Sequence, residues 1–196
     1  IFSPDTPIRS IDHVLLNLNI PATELDNGSS TVGASTDVLT AFKAITDAGG
    51  ITIAAHANST HGIAMRGFKF GGQTKVAYTQ DENLYALEVT DLSSNSRRST
   101  SRFFNGSKPE YPRRMHCIQG SDAHRLIQVT QNTSHLGVGD RITEMLLPTA
   151  DFNSVRDLLR SSNFSHTRPY RGTKREIDYV RSAQQEGASI IQSFHS

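Results

Sequence analysis

Short apolar runs alternate with amphipathic stretches along most of the chain. Apolar residues recur at spacings of three and four in residues 35–48 and 151–160, which predicts a helix in each. Runs rich in β-branched and other apolar residues predict buried strands. These runs occupy residues 13–20, 51–55, 84–90, 115–118 and 141–147. Because uninterrupted apolar strands between helices are typical of a sheet covered by helices, the pattern predicts an α/β fold.

Turn and capping residues set the expected boundaries of these elements. Ser35 or Thr36 can cap the first predicted helix, and the Gly-Gly pair at residues 49–50 ends it. Residues 57–81 are rich in glycine and predict a long loop, and the polar residues 91–113 predict a second loop with at most a short helix.

The last part of the chain has a different composition. Residues 165–173 are polar and contain proline and glycine, which predicts a linker. The charged residues that follow at 175–186 predict a helix. We therefore expect one domain over residues 1–164 and a helical connector over residues 165–196.

Composition and charge exclude several classes of protein. The chain has 196 residues and a net charge of +1, so no global charge attracts it to nucleic acid or to an anionic membrane. A single cysteine, Cys117, excludes an internal disulfide, and its apolar neighbours predict a buried core residue. No apolar run has the length of a membrane span, and we expect a cytoplasmic protein that does not contact membranes.

The residues most typical of chemistry follow the predicted strands. Gly-Ser-Asp-Ala-His at residues 120–124 places Asp122 and His124 just beyond a strand, while His56 ends another and His13 opens a third. Neutral imidazoles and a carboxylate suit zinc, manganese or iron. Such an ion lowers the pKa of a bound water from ~16 to ~7, which favours hydrolysis of a phosphoester. We therefore predict that His13, His56, Asp122 and His124 are metal ligands.

Two arginines are candidates for binding the substrate. Arg125 follows His124, and Arg66 lies in the glycine-rich loop beyond His56. A guanidinium group matches phosphate oxygens with two parallel hydrogen bonds, so either arginine could orient a phosphate.

Three segments resemble the later motifs of the PHP (polymerase and histidinol phosphatase) superfamily. They are Ile-Ala-Ala-His at 53–56, Leu-Glu-Val at 87–89 and Gly-Ser-Asp-Ala-His at 120–124. The resemblance implies a distorted (β/α)7 barrel with two or three divalent metal ions at the C-terminal ends of its strands. It also implies that Glu88 supports its strand rather than binding metal.

A longer pattern is similar to the PHP portion of bacterial proteins in which it is fused to an AAA-like ATPase. Residues 120–126, followed by Leu-Gly-Val-Gly-Asp-Arg-Ile-Thr at 136–143, carry this likeness. PHP enzymes also have a His-x-His pair on the first strand, which this sequence lacks. We therefore expect a partial barrel from a longer protein, with further ligands upstream of Ile1 and a covalently linked ATPase domain. We also expect the chain alone to bind metal weakly.

The resulting hypothesis is a metal-dependent phosphoesterase that uses metal-activated water. Its phosphorylated substrate would be a nucleic-acid end, a nucleotide or a small phosphate ester. One alternative is a non-catalytic regulatory or scaffolding PHP-like domain attached to the ATPase. Another is a metalloenzyme that cleaves a non-phosphate bond, as amidohydrolase-like barrels do.

Overall fold

The computed structural model of the chain describes residues 1–26, 31–64, 72–123 and 136–170. The described part is a mixed α/β structure with a small parallel sheet, a two-stranded antiparallel sheet and helices. The helices are α1 (Ile8–Asn17), α2 (Val38–Asp47), α3 (Gly72–Gln80), α4 (Thr100–Phe103) and α5 (Phe152–Arg160). Short 3-10 helices span Ala22–Glu24 and Phe164–His166. The strands are β1 (Ile53–Ala54), β2 (Ala86–Glu88), β3 (His116–Ile118), β4 (Thr143–Met145) and β5 (Thr167–Pro169).

The parallel sheet forms the buried centre of the described structure. Its strand order is β1-β2-β3, and Leu87 pairs with both Ala54 and Cys117. Helices cover the two faces. Leu87 packs in one apolar cluster with Phe42 of α2, whereas Ala86 packs in another with Leu159 of α5. The prediction of apolar strands covered by helices is therefore confirmed, because alternate residues of β2 are buried on opposite faces.

The second sheet pairs β4 with β5 in antiparallel register, with Glu144 opposite Arg168. The predicted strand at 141–147 is confirmed by β4. Strand β5 lies in the stretch that the sequence predicted to be the start of the connector. The remainder of that connector, including the predicted helix at 175–186, lies outside the described residues.

The two helices predicted from apolar spacing are confirmed as α2 and α5, and each begins at an aspartate. Asp37 accepts hydrogen bonds from the backbone N–H groups of Leu39 and Thr40, at 3.0 and 3.1 Å. Asp151 accepts one from Ser154 at 2.7 Å. The predicted cap at Ser35 or Thr36 is therefore wrong by one or two positions. Hydrogen bonds, above all that from the Thr40 hydroxyl, lower the pKa of Asp37 and favour its charged form at the helix start.

The strand predicted at residues 13–20, with His13 at its start, is wrong. These residues lie largely in α1, which follows Pro7 and buries Val14. Apolar positions 8, 11, 14, 15 and 18 follow a helical period, which the shorter window starting at His13 hides. Proline at the helix start supplies a suitable φ and has no N–H to leave unpaired. His13 consequently lies on an exposed part of α1 rather than at the end of a sheet strand.

The long loop predicted at residues 57–81 is also wrong in its last part, which forms α3. Only Thr79 of this helix is buried, and its residues lack an apolar stripe. The spacing of apolar residues therefore could not predict this helix. The short helix expected within residues 91–113 is confirmed by α4.

Cys117 is a buried core residue, as predicted. Burial raises the pKa of its thiol to about 12, so the thiol stays protonated and unreactive at neutral pH. Within the described ranges, no helix combines the length and apolarity needed to cross a membrane.

Candidate functional site

The C-terminal ends of the three parallel strands bring one imidazole and two carboxylates together. His56 follows β1, Glu88 ends β2 and Asp122 follows β3. The Nδ1 atom of His56 lies 3.5 Å from Oδ2 of Asp122 and 3.8 Å from Oε2 of Glu88. Parallel strands end at the same edge of a sheet, so side chains far apart in sequence meet there. We call these three residues the strand-end group.

The backbone of the strand-end group is held in an uncommon conformation. His56 has φ of 36° and Asp122 has φ of 51°, both in the left-handed region that few non-glycine residues adopt. The surrounding structure must compensate for this strain, and such strain is concentrated at functional sites. Glu88 provides part of the compensation, because its Oε2 accepts a hydrogen bond from the backbone N–H of His56 at 2.9 Å.

The turn that carries His56 is closely packed. The backbone N–H of Ala57 donates to the carbonyl of Glu88 at 2.8 Å, and that of Ser59 donates to His56 at 2.8 Å. Gly62 lies against the same turn, where a Cβ atom would overlap the carbonyl oxygens of His56 and Ala57. Only glycine allows this close approach. The position of the His56 imidazole is therefore set by backbone contacts on two sides.

The loop before Asp122 is held by side chains from the start of β4. Thr143 Oγ1 accepts a hydrogen bond from the backbone N–H of Gln119 at 2.7 Å and donates to its carbonyl at 2.8 Å. Arg141 Nε donates to the carbonyl of Gly120 at 2.6 Å. The side-chain Nε2 of Gln119 in turn donates to the carbonyl of Ile142 at 2.9 Å. These four hydrogen bonds fix residues 119–120 and so limit where Asp122 can lie.

The members of the strand-end group differ in exposure. The side chains of His56 and Asp122 are each 49% exposed, whereas that of Glu88 is 17% exposed. Gly120 approaches Glu88 closely, since a Cβ atom there would lie 3.3 Å from Glu88 Oε1. Asp122 and His56 are therefore accessible to an ion or a substrate, while Glu88 lies behind them.

The donor atoms suit a divalent metal ion only in part. Two ligands that are each ~2.1 Å from one ion at a tetrahedral angle lie about 3.4 Å apart, close to the His56–Asp122 separation. Imidazole nitrogen and carboxylate oxygen are ligands of zinc, manganese and iron. However, the described residues contain no group of three or more His, Cys, Asp or Glu arranged to hold a metal ion. The described part of the chain thus supplies a pair of suitable donors rather than a complete site.

The structure places the predicted site residues in three different situations. His56 and Asp122 lie together, as the strand-end argument predicted. His13 lies on α1, so the reason for including it, its place at a strand end, is wrong. His124, Arg125 and Arg66 lie outside the described residues.

Sequence reasoning missed the residues that hold the site in place. The sequence placed Arg141 and Thr143 in a predicted strand and in the PHP-like pattern at 136–143 without giving either a role at the site, yet both contact the loop that leads to Asp122. Their position after a Gly-x-Gly-Asp turn, at the polar start of an otherwise apolar strand, was the available signal. The partner loop lies more than twenty residues away, so the signal did not reveal what they bind.

Comparison of the chain with protein-family models, with curated proteins and with solved structures found no match. The functional conclusion therefore depends on the geometry of the strand-end group and its surroundings.

Proposed function

We propose that the chain is part of a metal-dependent phosphoesterase of the PHP type, which hydrolyses a phosphoester with metal-activated water. The observation that carries this proposal is the 3.5 Å separation of His56 Nδ1 and Asp122 Oδ2 at the C-terminal edge of a parallel sheet. The ion expected there would supply a water of lowered pKa and would stabilise negative charge on a phosphate oxygen.

The residues of the chain have distinct parts in this proposal. His56 presents a neutral nitrogen and Asp122 a carboxylate oxygen to the ion, with His124 as the predicted third ligand. Glu88 is a positioning residue, because it accepts the His56 backbone N–H and lies behind the exposed pair. The order β1-β2-β3 supports a partial barrel, since consecutive βα units of a barrel place their parallel strands side by side. We also propose that the parent protein carries a covalently linked ATPase domain and is located in the cytoplasm.

A specific observation favours a second candidate, a non-catalytic regulatory or scaffolding domain. Glu88 Oε2 is already used to hold the backbone of His56. The described residues also form no complete metal-binding group. In this second candidate, the strand-end group stabilises the turns at the sheet edge and has no catalytic part.

Metal titration separates these candidates. Calorimetric titration with Zn²⁺ and with Mn²⁺ would be carried out on the unaltered chain and on Asp122→Asn and His56→Gln. We expect each variant to lose at least about tenfold in affinity, because one of few ligands is removed. Asp47→Asn is the matched control, since Asp47 is an exposed carboxylate on α2 that pairs with Lys43.

Hydrolysis of bis(p-nitrophenyl) phosphate would be measured on the same samples. We expect slow hydrolysis that requires added metal and is lost in Asp122→Asn. Unchanged metal affinity in Asp122→Asn would contradict the assignment of Asp122 as a ligand. Metal binding through Asp122 without any hydrolysis would favour the non-catalytic candidate.

A further inference from the structure

A polar cleft of ≈ 290 Å³ opens beside the strand-end group. Thr90 and Ser93, which follow β2, form one side, and Gln119 lies at the end of β3. Arg141, two residues before β4, forms another side. The cleft therefore lies at the same C-terminal edge of the parallel sheet as His56 and Asp122. We call it the Arg141 cleft.

Gly120 joins the Arg141 cleft to the strand-end group. Its carbonyl accepts the hydrogen bond from Arg141 Nε, and its Cα lies against the carboxylate of Glu88. Thr90 makes a second connection. Its Oγ1 accepts a hydrogen bond from Asn58 Nδ2 at 3.2 Å, and its backbone N–H donates to Asn58 Oδ1 at 3.1 Å. A ligand in the cleft would thus share walls with the turns that carry His56 and Asp122.

Arg141 makes the cleft suitable for an anion. Its Nε donates a hydrogen bond to the carbonyl of Gly120, and this bond orients the guanidinium plane. Among the residues that the structure describes, nothing accepts a hydrogen bond from its two terminal nitrogens. When Nε is held by one hydrogen bond, the terminal nitrogens Nη1 and Nη2 can donate two parallel hydrogen bonds to two oxygens of a phosphate.

The rest of the lining indicates the size and kind of molecule attached to the phosphate. The exposed hydroxyl of Ser93 can exchange hydrogen bonds with the hydroxyls of a sugar. The Thr90 hydroxyl donates to Asn58 Oδ1 at 3.4 Å, so towards a sugar it can act as an acceptor. The cleft volume is at the small end of the range for ligand sites. A groove for single-stranded nucleic acid needs a series of lysine or arginine side chains along the phosphate backbone of the ligand. The described lining of this cleft instead has Arg141 next to the acidic Asp140. These features favour a small ligand over a polynucleotide.

We propose that the Arg141 cleft binds a small sugar phosphate, with its phosphate on Arg141 and its hydroxyls towards Thr90 and Ser93. This proposal rests on the proposed function, because it names the substrate class for the adjacent strand-end group. Among the candidate substrates of that group, it selects the small phosphate esters.

The test measures binding without metal, so that it does not depend on catalysis. Ribose 5-phosphate and ribose would be titrated into the full chain in the presence of EDTA, with binding followed by saturation-transfer NMR. We expect ribose 5-phosphate to bind at least tenfold more tightly than ribose. Arg141→Met should lose at least tenfold in affinity for ribose 5-phosphate, and Arg141→Lys should lose less because it keeps the charge. Arg97→Met, which removes an exposed arginine elsewhere, should bind as the unaltered chain does.

A second variant covers the case in which Arg141→Met fails to fold, since Arg141 also holds Gly120. Ser93→Ala removes one exposed hydroxyl from the cleft and should weaken ribose 5-phosphate binding severalfold while leaving binding of inorganic phosphate unchanged.

Three results would overturn the proposal: equal affinity for ribose and ribose 5-phosphate, unchanged affinity in a folded Arg141→Met or in Ser93→Ala, and tighter binding of a single-stranded oligonucleotide. Failure of the metal titration would instead refute the proposed function and leave this binding result standing.

Discussion

The two sheets of this protein contribute to the candidate site in opposite ways. In the parallel sheet, Ala86 and Leu87 are fully buried between helices, and the strand ends carry the imidazole and the carboxylates. In the antiparallel sheet, all three residues of β4 are partly exposed, and an exposed ion pair joins Glu144 to Arg168. The parallel sheet therefore positions the strand-end group, while the antiparallel sheet lies beside it.

An exposed element can nevertheless determine the geometry of a site. The residues Arg141 and Thr143 lead into β4 and bond to the backbone at residues 119–120. Asp122, in its left-handed conformation, lies two residues after Gly120. Apolar burial stabilises the sheet without fixing this loop, because the hydrophobic effect has no direction. Hydrogen bonds are directional, so they supply the precision that burial lacks.

The largest expected effect is in the parallel sheet. Leu87→Ala should lower the free energy of unfolding by about 2 to 5 kcal/mol, because it leaves a cavity at a fully buried position. Met145→Ala in β4 is the matched change in the exposed sheet and should cost less, since Met145 is only partly buried. Urea denaturation followed by circular dichroism measures both. Equal losses would show that the two sheets do not differ in their contribution to stability.

An intermediate effect is expected from the contact between the sheets. Thr143→Val keeps the shape of the side chain but leaves the backbone N–H and carbonyl of Gln119 without their partner. This should cost about 1 to 3 kcal/mol in unfolding free energy. The variant should also weaken Mn²⁺ binding, because the loop before Asp122 becomes less constrained.

Thr167→Val in β5 is the control for this change, because the Thr167 hydroxyl donates a longer hydrogen bond, at 3.3 Å, to the carbonyl of Phe164. A loss of stability in Thr143→Val with unchanged metal affinity would mean that the β4 contacts support the fold but do not position Asp122.

The smallest expected effect concerns the pH dependence of the parallel sheet. His116 of β3 is buried, its Nε2 is 2.9 Å from the carbonyl of Ser161, and its ring packs on Phe164. Burial lowers the pKa of His116 below the usual 6.5, so the unfolded chain binds this proton more readily than the folded protein does. Stability should therefore be highest above pH 6.5 and should fall as the pH drops from there towards the lower folded-state pKa.

Urea midpoints between pH 5 and pH 8 measure this dependence. In His116→Gln the decline below pH 6.5 should be smaller, whatever the absolute stability of the variant. An identical decline in both proteins would assign the pH dependence to other groups.

Sequence patterns predicted the parts of the fold that depend on local signals. Helices α2 and α5 have both an apolar stripe and a capping aspartate, and strands β2 and β3 are short apolar runs. Residues 13–20 were predicted to be a strand because this short window is rich in apolar strand-forming residues, yet most of them lie in helix α1. Helix α3 was missed because it has no apolar stripe to detect.

The apolar runs at 51–55 and 115–118 were enough to predict that His56 and Asp122 each follow a strand. From this the meeting of the two side chains could be predicted, because parallel strands share a carboxyl edge. Folding of the whole chain brings Glu88 and Gly62 against the His56 turn. It also brings Arg141 and Thr143 against the loop before Asp122. Most of these contacts join residues more than twenty positions apart. They depend on how the sheets and turns pack, and no local pattern of residues encodes that packing.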